Sequence, residues 1–217
     1  MDGGQIKSRS RVKDHGEVFT AEREVKAMCD LVREETERVD SRFLEPACGD
    51  GNFLAEILTR KLAVVKRKYG KSFSDYEKNA VLAVSSLYGV DILADNVDAC
   101  RERLFNLWDS RYKAVCKKEC NEDTRKTVTF ILSKNIVCGN ALTLCEVDEN
   151  CNDTDKPIVF SEWAFITGGM LQRSDYTFAE LLAGDEKVKQ KSMFDRDGEG
   201  VFLRKYVCHY RKVWENV

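Results

Sequence analysis

This sequence of 217 residues has few prolines and histidines, almost no net charge and no long apolar run. No apolar segment approaches the roughly 20 residues needed to cross a bilayer, and the amino-terminal stretch lacks the apolar core of a signal peptide. The net charge of −2 argues against a strongly electrostatic binder of polyanions, although it allows a local basic face. The sequence therefore predicts a cytoplasmic protein without a membrane partner.

Metal ligands are also poorly supplied. His15 and His209 are the only two histidines, and the nine cysteines are odd in number and scattered. The close pairs Cys116/Cys120 and Cys145/Cys151 have no histidine near them, whereas structural zinc sites use paired CxxC or Cys/His spacing. We expect no metal site and interpret the cysteines as reduced, mostly buried residues of a cytosolic protein.

The length fits one α/β domain with a real core and is too short for two. A hydrophobic content of 43% and a charged content of 33% are typical of a soluble globular protein. The polar, basic residues 1–16 are interpreted as a flexible arm. Residues 17–217 are predicted to form a single domain, with a core over 17–145 and a carboxyl-terminal extension over 157–217.

Apolar periodicity and turn signals predict alternating strands and helices. Predicted strands are Arg42–Glu45, Leu87–Ile92, Val128–Leu132, Asn135–Cys138 and Ile158–Phe160. Predicted helices span about 21–39 with Thr20 as N-cap, 52–68, a segment from a capping box at Ser74 to Ser86, one introduced by Asp95, and one opened by a capping box at Thr177. This alternation predicts an α/β fold with a mainly parallel, doubly wound sheet.

The segment 44–54 is the most informative part of the chain. The apolar residues Phe43 and Leu44 are followed by Glu45 and Pro46. A pair of glycines spaced G-x-G comes next, and a new apolar run begins at Phe53. Glycines let a chain bend tightly and let a ligand approach the bare backbone. The start of the next helix offers unpaired N–H groups and a positive dipole end. The third glycine of the dinucleotide-binding motif is missing. The pattern therefore predicts a nucleotide-type binding loop that differs from the one in dinucleotide-binding proteins.

Asp91 closes the second predicted strand. In folds of this kind an acid at that place accepts hydrogen bonds from ribose hydroxyls. The usual gap from the glycine loop is about 20 residues, and it is about twice that here; we attribute the excess to the helix opened by Ser74. The alternative is that Asp91 only caps the helix that follows Ile92. Together with the glycine loop, the ribose role is favoured.

Four segments, in order, resemble motifs of the adenine-N6 DNA methyltransferases of restriction–modification systems, particularly the modification-subunit type. They are Gly16–Thr20 (GEVFT), Glu45–Phe53 (EPACGDGNF), Tyr88–Ile92 (YGVDI) and Cys138–Leu142 (CGNAL). The resemblance implies a Rossmann-like methyltransferase fold that binds S-adenosylmethionine.

The same resemblance assigns roles to individual residues. Those that would contact the cofactor are Phe19 and Thr20 at the methionine moiety; Glu45, Ala47, Cys48, Gly49 and Gly51 at its ammonium and carboxylate; Phe53 in the same loop; Asp91 at the ribose; and Ile92, Asn140 and Ala141 beside the adenine. The family usually has aspartate where Asn140 stands. Because the asparagine carbonyl still accepts a hydrogen bond, we expect weaker rather than absent binding.

The methyl-acceptor half of the family pattern is missing. There the next strand ends in Asn/Asp-Pro-Pro-Tyr/Phe, which grips the target amino group and stacks on a flipped base. With prolines at positions 46 and 157 only, this chain has no Pro-Pro pair. Ser161 and Glu162 in the corresponding strand offer acceptors, and Trp163 offers a stacking ring. Trp163, however, fits a core position better. Without the Pro-Pro pair, these three residues are only weak catalytic candidates.

The carboxyl-terminal residues Phe202, Tyr206, His209 or Tyr210, and Val213 share a helical stripe, for which an amphipathic helix is favoured over a nucleic-acid face. A chain of this size is expected to need a partner protein to read DNA and flip a base. Two functions stay open. The first is a DNA adenine-N6 methyltransferase, either a divergent or degenerate one or a fragment completed by such a partner; the second is a non-catalytic accessory or anti-restriction module acting through protein contacts. An RNA or small-molecule methyltransferase is a third possibility.

Overall fold

The computed structural model describes residues 20–183 and 204–215, together with Ser8, Arg11, Lys13, Glu17 and Val18. The helices are α1 (Glu22–Leu31), α2 (Arg33–Thr36), α3 (Asn52–Tyr69), α4 (Phe73–Ser85), α5 (Ala94–Cys116), α6 (Glu122–Asn135) and α7 (Phe178–Ala183). The strands are β1 (Phe43–Glu45), β2 (Leu87–Asp91), β3 (Ile136–Cys138), β4 (Cys145–Val147), β5 (Asp153–Pro157), β6 (Val159–Phe165), β7 (Met170–Thr177) and β8 (Lys205–His209). Among these residues no helix combines the length and apolarity needed to span a membrane.

The first three strands form a parallel sheet in the order β1-β2-β3. Leu44 pairs with Tyr88, and Asp91 pairs with Cys138. Each connection between neighbouring strands runs through helices, as parallel pairing requires. The carboxyl ends of the three strands consequently meet at one edge of the sheet.

The remaining strands are antiparallel. β6, β7 and β8 form one sheet, and β4 and β5 form a separate hairpin within the acidic segment after Leu144. The prediction of a parallel sheet therefore holds for three strands, and the prediction that the sheet is mainly parallel is wrong for the second half of the described chain. The chain is a mixed α/β protein.

The two faces of β2 enter different apolar clusters. Leu87 packs into the larger core with α1, α3, α4, α5 and α6. Tyr88 and Val90 instead pack against Ile158, Phe160 and Phe178, from the segment around β6 and from α7. Because successive side chains of a strand point to opposite faces, α1 and α3 to α6 cover one side of β2, and the segment around β6 together with α7 covers the other.

A buried carboxylate joins the carboxyl-terminal segment to the helices. Glu77 of α4 is fully buried and accepts hydrogen bonds from Tyr112, Thr124, Tyr210 and Arg211. Burial by itself raises the pKa of Glu77, but these hydrogen bonds outweigh it, and the pKa lies below its usual value.

Several local predictions are corrected. The helix predicted over 21–39 is two helices, interrupted at Val32, and the N-cap of α1 is Ala21 rather than Thr20. The cap of α4 is Ser72, which accepts from the Asp75 N–H, while Glu77 of the supposed capping box turns inward. The capping box at Thr177 is confirmed by reciprocal bonds with Glu180.

Two longer segments also differ from prediction. Val128–Leu132, predicted as strand, lies in helix α6, which Asn121 caps through bonds from the Asp123 and Thr124 N–H groups. The carboxyl-terminal stripe is not an α-helix, because Lys205–His209 pairs with β7 as a strand and Tyr210–Glu215 forms 3-10 turns. Phe202 of that stripe lies outside the described residues.

We predict that Glu77→Gln lowers the free energy of unfolding at pH 7 by roughly 2–4 kcal/mol, because an amide cannot accept from all the donors that face it. The carboxylate contribution is present above the unfolded pKa and is lost as pH falls through the depressed folded value. Urea denaturation from pH 7 to pH 3 should therefore show the difference between wild type and variant shrinking below about pH 4.5. Glu102→Gln, at an exposed position on α5, is the matched control. A constant difference across this range would contradict the assignment.

Candidate functional site: the pocket at the carboxyl ends of the parallel strands

The segment between β1 and α3 turns sharply through its two glycines. Gly49 has φ 51° and Gly51 has φ 88°, both in the left-handed region that glycine adopts at little cost. The Gly51 N–H donates to the Cys48 carbonyl at 2.8 Å, and the Cys48 N–H donates to the Val90 carbonyl at 2.8 Å. The loop is thereby closed on itself and attached to β2.

Asp91 fixes the same loop from the other side. One carboxylate oxygen accepts from the Gly49 N–H at 2.8 Å. The other accepts from the Leu93 N–H at 2.9 Å and from the Asn96 side-chain amide at 3.2 Å. Asp91 therefore supports the start of α5, as the capping alternative proposed, and also holds the glycine loop. A carboxylate has about four acceptor positions, so these bonds leave about one for a ligand.

A cavity of about 650 Å³ opens at this edge of the sheet, within the size range of small-molecule sites. Ten of the predicted cofactor residues line it: Thr20, Glu45, Ala47, Cys48, Gly49, Phe53, Asp91, Ile92, Asn140 and Ala141. Gly51 shapes the turn without lining the cavity, and Phe19 lies outside the described residues. The fold thus brings segments distant in sequence to one pocket.

The described residues that line this cavity carry carboxylates and no lysine or arginine; the acidic ones are Glu17, Glu45, Asp50 and Asp91. Arg103 pairs with Asp50 at 2.6 Å, and Arg11 pairs with Glu17 at 2.7 Å. Within the described part of the chain, neither Glu45 nor Asp91 forms such an ion pair. Burial raises the pKa of Glu45. The pocket therefore favours a ligand with positive charge or hydrogen-bond donors over one rich in phosphate.

Asn140 is already engaged on both sides of its amide. Its nitrogen donates to Asp153 at 2.9 Å, and its oxygen accepts from the Leu142 N–H at 3.0 Å. The oxygen retains one lone pair for a further donor, consistent with a weaker contact than an aspartate would offer.

Sequence reasoning missed a buried polar chain beside the pocket. The Asn96 amide donates to Glu17 at 2.8 Å as well as to Asp91. Arg11 bonds to Glu17 and to Asp95, so the amino-terminal segment is tied to the start of α5. One signal in the sequence could have identified Glu17, because it lies within the GEVFT motif. The position of Asn96 in the first turn of α5, five residues after Asp91, was the second signal.

Ser161, Glu162 and Trp163 are not brought to this cavity. Ser161 is buried and donates to Asp175 at 2.7 Å, Glu162 forms an ion pair with Arg42, and the Trp163 ring nitrogen donates to Asn135 at 3.1 Å. Ile158 lies near Gly139, which follows the carboxyl end of β3, whereas Glu162 pairs with Arg42, which precedes the amino end of β1. β6 therefore runs from the carboxyl end of the parallel sheet toward its amino end, and these side chains end up on the far side from the pocket.

The cysteine in the loop is a packing residue. Cys48 is buried, and its hydrogen bond with Cys100 together with burial raises the pKa of its thiol. The protonated thiol is a poor nucleophile. All nine cysteines are free, and no described group of three or more His, Cys, Asp or Glu side chains is arranged to hold a metal ion.

We predict that Gly51→Ala destabilises the protein by roughly 2–5 kcal/mol, since left-handed backbone strains an L-residue and an added Cβ overlaps its neighbour. That Cβ would lie 2.7 Å from the Cys100 sulfur. Thermal or urea unfolding measures the loss.

Gly168→Ala is the matched control, because Gly168 has φ 72° and no atom within 4 Å of an added Cβ. It should cost only the backbone strain, about 1–2 kcal/mol. Adding Cys100→Ala to Gly51→Ala should recover the overlap part in a double-mutant cycle. Equal losses at the two glycines, with no coupling to Cys100, would contradict the close approach.

Comparison with known proteins adds one similarity. Over 162 residues, 71% of this chain, the sequence is 25% identical to DNA methyltransferase A of Bacillus subtilis (strain 168). The matched region is 18% of that protein's length. No family model matches the chain, and neither does any solved structure. The chain is therefore related at a distance to a methyltransferase, of which it spans less than a fifth.

Proposed function

We propose that the chain binds S-adenosylmethionine in the pocket and acts as the cofactor-binding part of a DNA adenine-N6 methyltransferase of the restriction–modification type, completed by a partner protein. The observation that carries the proposal is the bond from the Gly49 N–H to Asp91. It joins the glycine loop and the strand-end acid into one site, where a ribose would meet the carboxylate and an amino-acid moiety would meet the loop.

The charge of the residues that line the cavity supports S-adenosylmethionine over adenine nucleotides. S-adenosylmethionine carries a sulfonium, an ammonium and one carboxylate and is therefore positive overall, whereas dinucleotides and nucleoside triphosphates carry several negative charges on their phosphates. Glu45 and Asp91 face the cavity without a cationic partner among the described residues. Phosphate groups at this place would meet like charge, while the sulfonium would be stabilised.

The named relative supports methyl transfer as the reaction. When bound, S-adenosylmethionine would supply a methyl group on a positively charged sulfur. As the adenine amino nitrogen bonds to that methyl group, the carbon–sulfur bond would break, releasing S-adenosylhomocysteine and one proton from the amino group to solvent. The role of this chain's residues is to hold the donor in one orientation, which is a major part of such catalysis. We assign the grip on the target base to the partner protein, together with the reading of the DNA sequence.

A second candidate is a non-catalytic methyltransferase-like module that acts through protein contacts, as an accessory or anti-restriction factor. It is favoured by the placement of Ser161, Glu162 and Trp163, whose polar atoms bond within the protein away from the pocket. Under this alternative the chain binds the cofactor and no methyl group is transferred.

We predict that isothermal titration calorimetry detects S-adenosylmethionine binding, and that Asp91→Ala weakens it roughly 10- to 150-fold. This is the range for losing one hydrogen bond to a charged acceptor, about 1.5–3 kcal/mol. Asp98→Ala is the control, because Asp98 lies on α5 outside the cavity lining, is 76% exposed and pairs with Arg101. Unchanged affinity in a folded Asp91→Ala protein would refute the site.

Methyl transfer is tested separately with the radiolabelled cofactor and DNA. We predict no labelled DNA with the chain alone, because its described pocket residues include no gripping pair for a base. Label should appear, as N6-methyladenine, when the proteins encoded by neighbouring genes are added. Cofactor binding without transfer under both conditions would favour the non-catalytic alternative.

A further inference from the structure

Asn140 lines the cavity on its β3 side. It follows Gly139, whose N–H donates to the Asp91 carbonyl at 2.9 Å. Because the strand order is β1-β2-β3, the glycine loop, Asp91 and Asn140 follow one another across the same edge of the sheet. The amino-acid part, the ribose and the adenine of S-adenosylmethionine follow one another in the same way. A ligand held by the loop and by Asp91 would therefore extend its base toward Asn140.

Two partners hold the Asn140 side-chain amide in one of its two orientations. Its nitrogen donates to an Asp153 carboxylate oxygen at 2.9 Å, and its oxygen accepts from the Leu142 N–H at 3.0 Å. If the amide turned over, its oxygen would face the carboxylate and its nitrogen would face an N–H, so both hydrogen bonds would become repulsive contacts. Asp153 is the stronger of the two partners, because a hydrogen bond to a charged group exceeds one between neutral groups.

The β4–β5 hairpin places Asp153 beside this amide. The Asn140 N–H donates to the Cys145 carbonyl at 2.9 Å, and the Leu144 N–H donates to the Asn140 carbonyl at 2.8 Å, so the turn after β3 leads directly into β4. Asp153 is the first residue of β5 and pairs with Val147 of β4. The described residues that line the cavity include Asn140 but not Asp153. An effect of Asp153 on a ligand would therefore pass through Asn140.

We propose that Asp153 is a positioning residue, and that through the Asn140 amide it makes the pocket select adenine over 6-oxopurines. The amide oxygen keeps a lone pair that accepts from the amino group of adenine, whereas a 6-oxopurine has a carbonyl at that position and needs a donor. A site arranged to bond one polar group rejects an analogue that lacks the group. The proposal rests on the proposed cofactor pocket and adds to it a reason for its choice of base.

The alternative role of Asp153 is to attach the hairpin, with no influence on the base. The two roles differ in what a substitution changes. Loss of an attachment would weaken the binding of adenine and 6-oxopurine ligands together and leave their affinity ratio constant. Loss of an oriented acceptor would lower the ratio itself, because the amide could then offer its nitrogen to a carbonyl. The affinity ratio is therefore the quantity to measure.

The test is calorimetric titration of the full 217-residue chain with S-adenosylmethionine and with S-inosylmethionine, which has a carbonyl in place of the adenine amino group. We expect the wild type to bind S-adenosylmethionine roughly tenfold more tightly, or better. Asp153→Lys presents a donor to the amide and favours the reversed orientation, so it should lower this ratio by roughly fivefold or more. Asp155→Lys makes the same change of charge at an exposed residue of the same strand and should leave the ratio unchanged.

Exchanging the two side chains gives an independent measurement. Asn140→Asp alone would place two carboxylates side by side. In an Asp153→Asn background the new carboxylate would instead accept from the amide introduced at position 153. The change in affinity for S-adenosylmethionine on Asn140→Asp should therefore be more favourable in that background than in the wild type, by about threefold or more.

The outcomes separate this proposal from the one on which it rests. If the wild type binds neither ligand, the cofactor site and the role of Asp153 are both refuted. If it binds S-adenosylmethionine, the role of Asp153 alone is overturned by equal affinity for the two ligands, by an unchanged ratio in Asp153→Lys, or by an equal drop in Asp155→Lys. Equal effects of Asn140→Asp in the two backgrounds would also overturn it. Asp153→Ala, which removes the acceptor without adding a donor, should lower the ratio by a smaller factor and replaces the lysine variant if that variant does not fold.

Discussion

The Asp91 carboxylate is the constraint on which the pocket depends. Through the Gly49 N–H it holds the glycine loop, through the Leu93 N–H it begins α5, and through Asn96 it reaches Glu17 of the amino-terminal segment. Hydrogen bonds to a charged acceptor contribute about 1.5–3 kcal/mol each. One side chain therefore positions three separate parts of the chain around the same cavity.

The parallel sheet forms the cavity that we propose for the cofactor, and it does not bring the candidate acceptor residues to that cavity. Its carboxyl ends carry the acidic cavity, while β6 turns back along the opposite face and takes Ser161 and Trp163 to internal hydrogen bonds. Under the proposed function, the residues at this edge of the sheet hold the methyl donor, and a partner protein holds the target base.

Short-range sequence signals predicted the pocket and the start of α7. Glycines at a strand end, an acid at the next strand end and the Thr177–Glu180 box each dictate structure within a few residues. The failures came from tertiary context. Val128–Leu132 looks like strand because its residues are β-branched or large, yet its neighbours Thr124, Thr127 and Asn135 continue a buried helical face. Glu77 and the direction of β6 depend on partners far away in sequence, which no local pattern reveals.

Under the proposed function, the acidic pocket at the strand ends selects a cationic adenosine ligand. The most direct test of this claim is calorimetric competition at low ionic strength among S-adenosylmethionine, ATP and NAD. We predict that S-adenosylmethionine binds and that neither phosphate-bearing nucleotide displaces it at hundredfold excess, because their charges meet Glu45 and Asp91. Displacement by ATP or NAD, or their binding with equal or greater affinity, would contradict the claim.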